Sequence, residues 1–144
     1  MLLVGHGPLA SGLKGAVEMI AGPQEAFAVV QLRPEDDVEG VTKRLERALQ
    51  RLGAAREAEA VIFADLFGAA PANAAASLLR NRPNLEVVAG MNLPMILDAA
   101  LSREGVSARE LAERAIESGR DSVRDVGAVI RAALEAAKPG GSRA

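Results

Sequence analysis

The 144-residue chain has a single histidine, His6, set in the glycine turn Gly5-His6-Gly7 directly after the apolar run Leu2 to Val4. One imidazole cannot assemble a histidine cluster around zinc, and a chain without cysteine has no thiolate site and no disulfide. A lone imidazole can act as a nucleophile or carry a proton. A carboxylate at its Nδ1 fixes the tautomer, frees the Nε2 lone pair and contributes roughly 1.5–3 kcal/mol as a charged hydrogen bond. Asp65 is the candidate partner: it closes a second apolar run, Val61 to Asp65, ahead of Leu66-Phe67-Gly68. Gly5, Gly7 and Gly68 allow close backbone approach, and the helix starts that follow them favour anions. A nucleophilic imidazole in such surroundings suits a phosphoryl group. Each piece also has a plainer reading. His6 can be structural and Asp65 a turn or helix cap, and G-x-G here lacks the third glycine of the dinucleotide fingerprint.

The elements that must position these residues follow from apolar periodicity. Runs at 2–4, 27–32, 61–65 and 86–90 read as strands, nearly continuous in apolar residues, as in a sheet buried on both faces. Each is followed by a helical pattern. Leu9, Leu13, Ala16, Val17 and Ile20 share one helix face, and Val41, Leu45, Ala48, Leu49 and Leu52 another. Pro71 and Pro94 fit first helical turns. Strand and helix alternate four times, which predicts an α/β fold, a doubly wound and mainly parallel sheet flanked by helices in flavodoxin-like three-layer fashion. In such sheets chemistry collects beyond the carboxyl ends of the strands, which places "GHG", "ADLFGAAPAN" and "AGMNLPM" on one edge. "NLPMIL" reads most simply as a turn into a buried helix, and "RPEDDVE" as a solvated helix entrance.

After position 106 the pattern changes. "SARE" at 107–110 is a capping box opening a helix to about Ser118. Val126, Ile130, Ala133 and Leu134 have helical spacing, while Val123 to Val126 reads equally as the start of a short antiparallel edge strand. Residues 1–137 form the expected domain and 138–144, "KPGGSRA", a flexible C-terminal tail. Hydrophobic residues make up 49% and charged residues 25%, a globular balance, with a core that must be aliphatic since there are three Phe and no Trp or Tyr. A net charge of −2 without aromatic platforms argues against nucleic acid. No apolar run reaches the length of a membrane helix and no signal peptide is legible, so a cytoplasmic location is expected.

Taken together, "HG" followed by "LASGLKGAVEMIAG", then "DLFGAAPANAA", "VVAGMNLPMIL" and "AIESGRDSV", resemble the mannose-type enzyme IIA domain of the bacterial phosphoenolpyruvate-dependent sugar phosphotransferase system. The resemblance runs in order over roughly residues 2–126 and implies a phosphocarrier. His6 would take a phosphoryl group from the histidine-containing phosphocarrier protein and pass it to a IIB component, with Asp65 orienting the ring. It further implies phosphate contacts around Gly7, Gly68, Ala69 and Ala70, and a partner-contact loop at Asn92, Leu93, Pro94 and Met95. A homodimer is implied, with membrane contact only through transporter partners, and neither a cofactor nor a metal. The family usually reads "GGSPxN" or "GGTPxN", so Ala69 stands for a glycine and Ala70 for a hydroxyl residue. Three roles fit the resemblance: sugar uptake, regulation by a free-standing IIA protein, or the related phosphotransfer subunit of dihydroxyacetone kinase. The short tail without a long Ala/Pro linker favours a free-standing chain. A flavodoxin-like binding module that holds a small anion at the same edge is the reading outside this group.

Overall fold

The computed structural model describes residues 1–140. Four strands, β1 (Leu2–His6), β2 (Ala28–Leu32), β3 (Ala60–Ala64) and β4 (Leu85–Ala89), form one all-parallel sheet in the order β2-β1-β3-β4. The connections are α1 (Leu9–Ala21), α2 (Val38–Arg51), α3 (Ala70–Ser77) with a 3₁₀ turn at Leu78–Arg80, and then α4 (Leu93–Ser102) after β4. Two more helices follow, α5 (Ala108–Asp121) and α6 (Val126–Ala136).

Alternation along the central strands divides the core in two, because successive side chains point to opposite faces. Leu3 and Phe63 face Val17, Ile96 and Leu111, beneath α1, α4 and α5. Leu2, Val4 and Ile62 face Leu45, Leu49 and Leu78, beneath α2 and α3. The sheet is therefore doubly wound, with helices on both faces. The near-continuous apolar runs of β1 and β3 reflect their interior places: all of β3 is buried, and β1 is buried until His6 emerges at its end.

Three details differ from the periodicity. First, β1 runs through His6, whereas β3 stops at Ala64, so Asp65 begins the following loop. Second, only half of the capping box forms. Ser107 accepts from the Glu110 N–H at 3.1 Å, but the Glu110 carboxylate turns to Arg114. Third, the ambiguous segment after residue 122 builds no antiparallel edge strand among the described residues. Asp125 accepts from the Ala128 N–H at 2.9 Å and caps α6 instead, and the alanine-rich run beyond it favours a helix. Within the expected tail, positions 138–140 carry no helix or strand, and 141–144 lie outside the described residues.

Candidate functional site

Adjacency of β1 and β3 brings the histidine and the aspartate together. The register pairs Val4 with Ala64, so His6 and Asp65 leave the sheet side by side. A single oxygen, Asp65 Oδ2, accepts from the backbone N–H of His6 at 2.7 Å and lies 2.7 Å from His6 Nδ1. The carboxylate is 8% exposed and the imidazole 49% exposed. Burial alone would raise the Asp65 pKa. The hydrogen bonds from the His6 N–H and ring, the charge of the ring and a smaller contribution from the Leu66 N–H outweigh it, and the pKa falls below its ordinary value of 3.8. An ionised carboxylate only accepts, so the proton of the neutral ring belongs on Nδ1 and the lone pair on Nε2. Gly5 makes this contact feasible. A Cβ there would lie 3.1 Å from Asp65 Oδ2 and 3.1 Å from Met91 Cε. The second carboxylate oxygen, Oδ1, is buried and has no hydrogen-bond partner among the described residues.

The helices of the chain begin in two different ways. Four helices have a side-chain cap: Asp37 for α2, Asn92 for α4, Ser107 for α5 and Asp125 for α6. The two that open directly behind His6 and Asp65 do not. α1 starts after Pro8 and α3 after Ala69, and neither residue offers a side-chain acceptor to the first turn. Uncapped first turns leave N–H donors for an external anion. The loops reach these helix starts through left-handed turns at Gly7 (φ 53°) and Gly68 (φ 79°), where a side chain would be strained. The amide of Asn73 donates to the Gly68 carbonyl at 3.2 Å and braces the second loop. Ala70 is the first residue of α3, so a serine in its place would hold its hydroxyl at the head of an uncapped helix.

The β4–α4 loop lies on the same edge but is largely turned inward. Asn92 accepts from the Met95 N–H at 3.0 Å and donates to the Gly119 carbonyl at 3.1 Å, so its amide is occupied within the chain. Met95 is buried against α5, where a Cβ on Gly119 would come within 2.6 Å of its methyl. Of the four residues expected to meet a partner, Pro94 is exposed, Leu93 is half-buried, and Asn92 and Met95 hold the loop together. The apolar surface beside His6 comes instead from Leu66 and Phe67, 59% and 89% exposed. Their sequence signal was available: Phe67 is one of three aromatic residues and stands in a glycine loop rather than in a strand.

A nucleophilic nitrogen, a buried carboxylate behind it and open helix starts beside it can accept and release a phosphoryl group. The family model EIIA-man, described as the PTS system fructose IIA component, matches residues 1–116. The sorbose-specific EIIA component of Lacticaseibacillus casei is 34% identical over 111 residues, covering 77% of this chain and 78% of that protein. The mannose-specific EIIAB component of Escherichia coli K12 is 31% identical over 121 residues, covering 83% of this chain but only 36% of that longer protein. Among solved structures, the mannose/sorbose-specific IIA subunit from Enterococcus faecalis superimposes with a TM-score of 0.79 at 32% identity, covering 87% of this chain and 92% of that one. The chain therefore belongs to the EIIA-man family, the mannose-type IIA components of the sugar phosphotransferase system.

Proposed function

We propose that this chain carries a phosphoryl group on His6 Nε2, taking it from the histidine-containing phosphocarrier protein and passing it to a IIB component during sugar uptake in the cytoplasm. The observation that carries this reading is the Asp65 carboxylate at 2.7 Å from Nδ1 of a half-exposed imidazole. As the donor's N–P bond breaks, the Nε2 lone pair forms the new P–N bond. The donor imidazole leaves with its electron pair, and the ring of His6 takes on positive charge. Asp65 stabilises that charge through Nδ1–H, while N–H groups of the uncapped helix starts meet the phosphoryl oxygens. The exchange joins two imidazoles, so positioning and electrostatics do most of the work. Exposed Leu66 and Phe67 give each partner an apolar contact beside the nitrogen.

The homodimer reading now rests on α6 rather than on an exchanged strand. Its face of Val126, Val129, Ile130 and Leu134 is exposed, and no residue of the helix is buried. An 11-residue helix is marginal by itself in water, and such a stripe is stable when covered. Residues 1–137 form the phosphotransfer domain in this reading.

The test is intact-mass measurement after incubation with phosphoenolpyruvate and the general carriers. The wild type gains the mass of one phosphoryl group, and His6→Ala gains none while keeping its melting temperature. Full labelling of the alanine variant would refute the assignment.

A further inference from the structure

On the far side of the sheet from β4, a groove of about 350 Å³ runs between the outer edge of β2 and α2. Arg33, Arg44, Arg47 and Arg51 line it, and among the described residues no carboxylate does. Arg44, Arg47 and Arg51 recur at i, i+3 and i+7, so they form one stripe along α2 parallel to the strand. Arg44 is neutralised by Asp36. Among the described residues, the side chains of Arg33, Arg47 and Arg51 make no ion pair and no hydrogen bond. Like charges at this spacing disfavour a helix slightly, and the pairing of Arg44 with Asp36 and the place of Arg51 in the last turn of α2 offset this.

The floor of the groove is an open sheet edge. Ala28 donates to the Met1 carbonyl and Leu32 accepts from the Gly7 N–H, so the even-numbered residues of β2 face β1. Val29 and Gln31 turn their backbone groups outward. The Gln31 carbonyl is taken by Arg44 at 2.8 Å, which leaves the Val29 N–H and carbonyl and the Gln31 N–H on the open edge.

We propose that this groove is a docking site for an extended acidic segment of a partner protein, which adds to the edge of β2 and places carboxylates against Arg47 and Arg51. Main-chain bonds from the strand edge supply affinity, and the cationic stripe supplies the choice of sequence. Charge complementarity selects the occupant, and the exposed guanidinium groups of Arg33, Arg47 and Arg51 beside free strand amides suit a peptide that presents both carboxylates and backbone. The groove begins one residue beyond Leu32, the register partner of His6, so an occupant lies beside the histidine edge rather than on it. None of this depends on the chemistry of His6.

The probe is a labelled peptide of alternating Glu and Val, Ac-EVEVEV-NH₂, titrated against the intact chain by fluorescence anisotropy. Saturable binding is expected, and raising the ionic strength should weaken it. Arg47→Gln with Arg51→Gln should weaken it about 3- to 20-fold, the effect of two exposed ion pairs. Hydrogen exchange at the Val29 and Gln31 amides should slow in the complex. Both arginines are exposed, so the double variant should melt like the wild type, and a matched melting curve confirms that it is folded. Absence of peptide binding overturns the proposal, as does equal affinity for an uncharged control peptide, Ac-QVQVQV-NH₂, or for the double variant. Displacement by inorganic pyrophosphate with no slowing of the two amides also overturns it, because the groove would then hold a small anion.

Discussion

Replacing Asp65 by alanine separates the orienting role of the carboxylate from its role in folding. Oδ2 receives two hydrogen bonds, from the His6 N–H and from the ring, both at 2.7 Å. Losing the bond to the ring removes roughly 1.5–3 kcal/mol of charged hydrogen bonding, and its loss in the transition state slows phosphoryl acceptance about 10- to 150-fold. Stability should change much less. The backbone N–H of His6 stands at an exposed position where water can replace the carboxylate, and the substitution also removes Oδ1, a buried oxygen with no partner. An unsatisfied buried acceptor costs about 1–3 kcal/mol, so the two effects oppose and the net change should stay within about 2 kcal/mol. Asp65→Asn keeps an oxygen for the ring but not its charge and should fall between the alanine variant and the wild type. Rapid-quench single-turnover transfer from the phosphorylated carrier gives the rate, and ¹⁵N shifts of the imidazole give the tautomer. The wild type should hold its proton on Nδ1, and the alanine variant should show a mixture. An unchanged rate together with an unchanged tautomer would refute the orienting role of Asp65.

Four further outcomes are expected. Gly5→Ala forces a methyl to 3.1 Å from both Asp65 Oδ2 and Met91 Cε, so it should cost about 1–3 kcal/mol by thermal melting and slow transfer as the carboxylate shifts. Ala70→Ser restores a hydroxyl at the head of α3 and should raise the acceptance rate or lengthen the phosphohistidine half-life about two- to tenfold, by stopped-flow transfer and hydrolysis assays. The Asp65 pKa is depressed in the folded chain, so its stabilising contribution is full above the ordinary value of 3.8 and is lost as pH falls through the lower folded value. Melting curves taken across that acid range should converge for the wild type and Asp65→Asn, and a gap that persists at the acid end would contradict the pairing. Ile130→Asp with Leu134→Asp places charge on the exposed stripe of α6 and should convert a dimer to a monomer in sedimentation equilibrium, whereas a monomeric wild type would end the homodimer reading.

Much of the architecture was legible because few signals conflicted. β3 is apolar throughout and β1 as far as Val4, since both lie inside the sheet, and α2 shows a clean 3.6-residue stripe in its buried Val41, Leu45, Ala48 and Leu49. The His6–Asp65 pair was legible for a topological reason: once strand and helix alternate, the carboxyl ends of the strands must share an edge. What stayed hidden depended on tertiary context. The segment after residue 122 has an apolar pattern compatible with strand or helix, and a cap at Asp125 decided between them. Asn92 and Met95 carry the polarity and flexibility of contact residues, yet both are consumed by the tight approach of α4 to Gly119, which no local pattern reveals. In the sequence the arginines of α2 are only the polar side of an amphipathic helix. Only the placement of β2 at the sheet edge makes it the wall of a groove.

Ala70 stands where the resemblance implies a hydroxyl residue, and the caps give that difference meaning. A serine or threonine at the start of α3 could serve either as a contact to the phosphoryl oxygens or as a partner for backbone donors of the first turn. Here neither Ala69 nor Ala70 offers an oxygen, and Pro71 removes one further N–H from the turn. The N–H donors that remain have no side-chain acceptor from Ala69 or Ala70. In the proposed phosphocarrier, main-chain donors take the place of a hydroxyl contact, and the Ala70→Ser comparison measures the difference. A faster serine variant means the hydroxyl reaches the phosphoryl group. A slower one means that the new oxygen occupies the donors the phosphate needs.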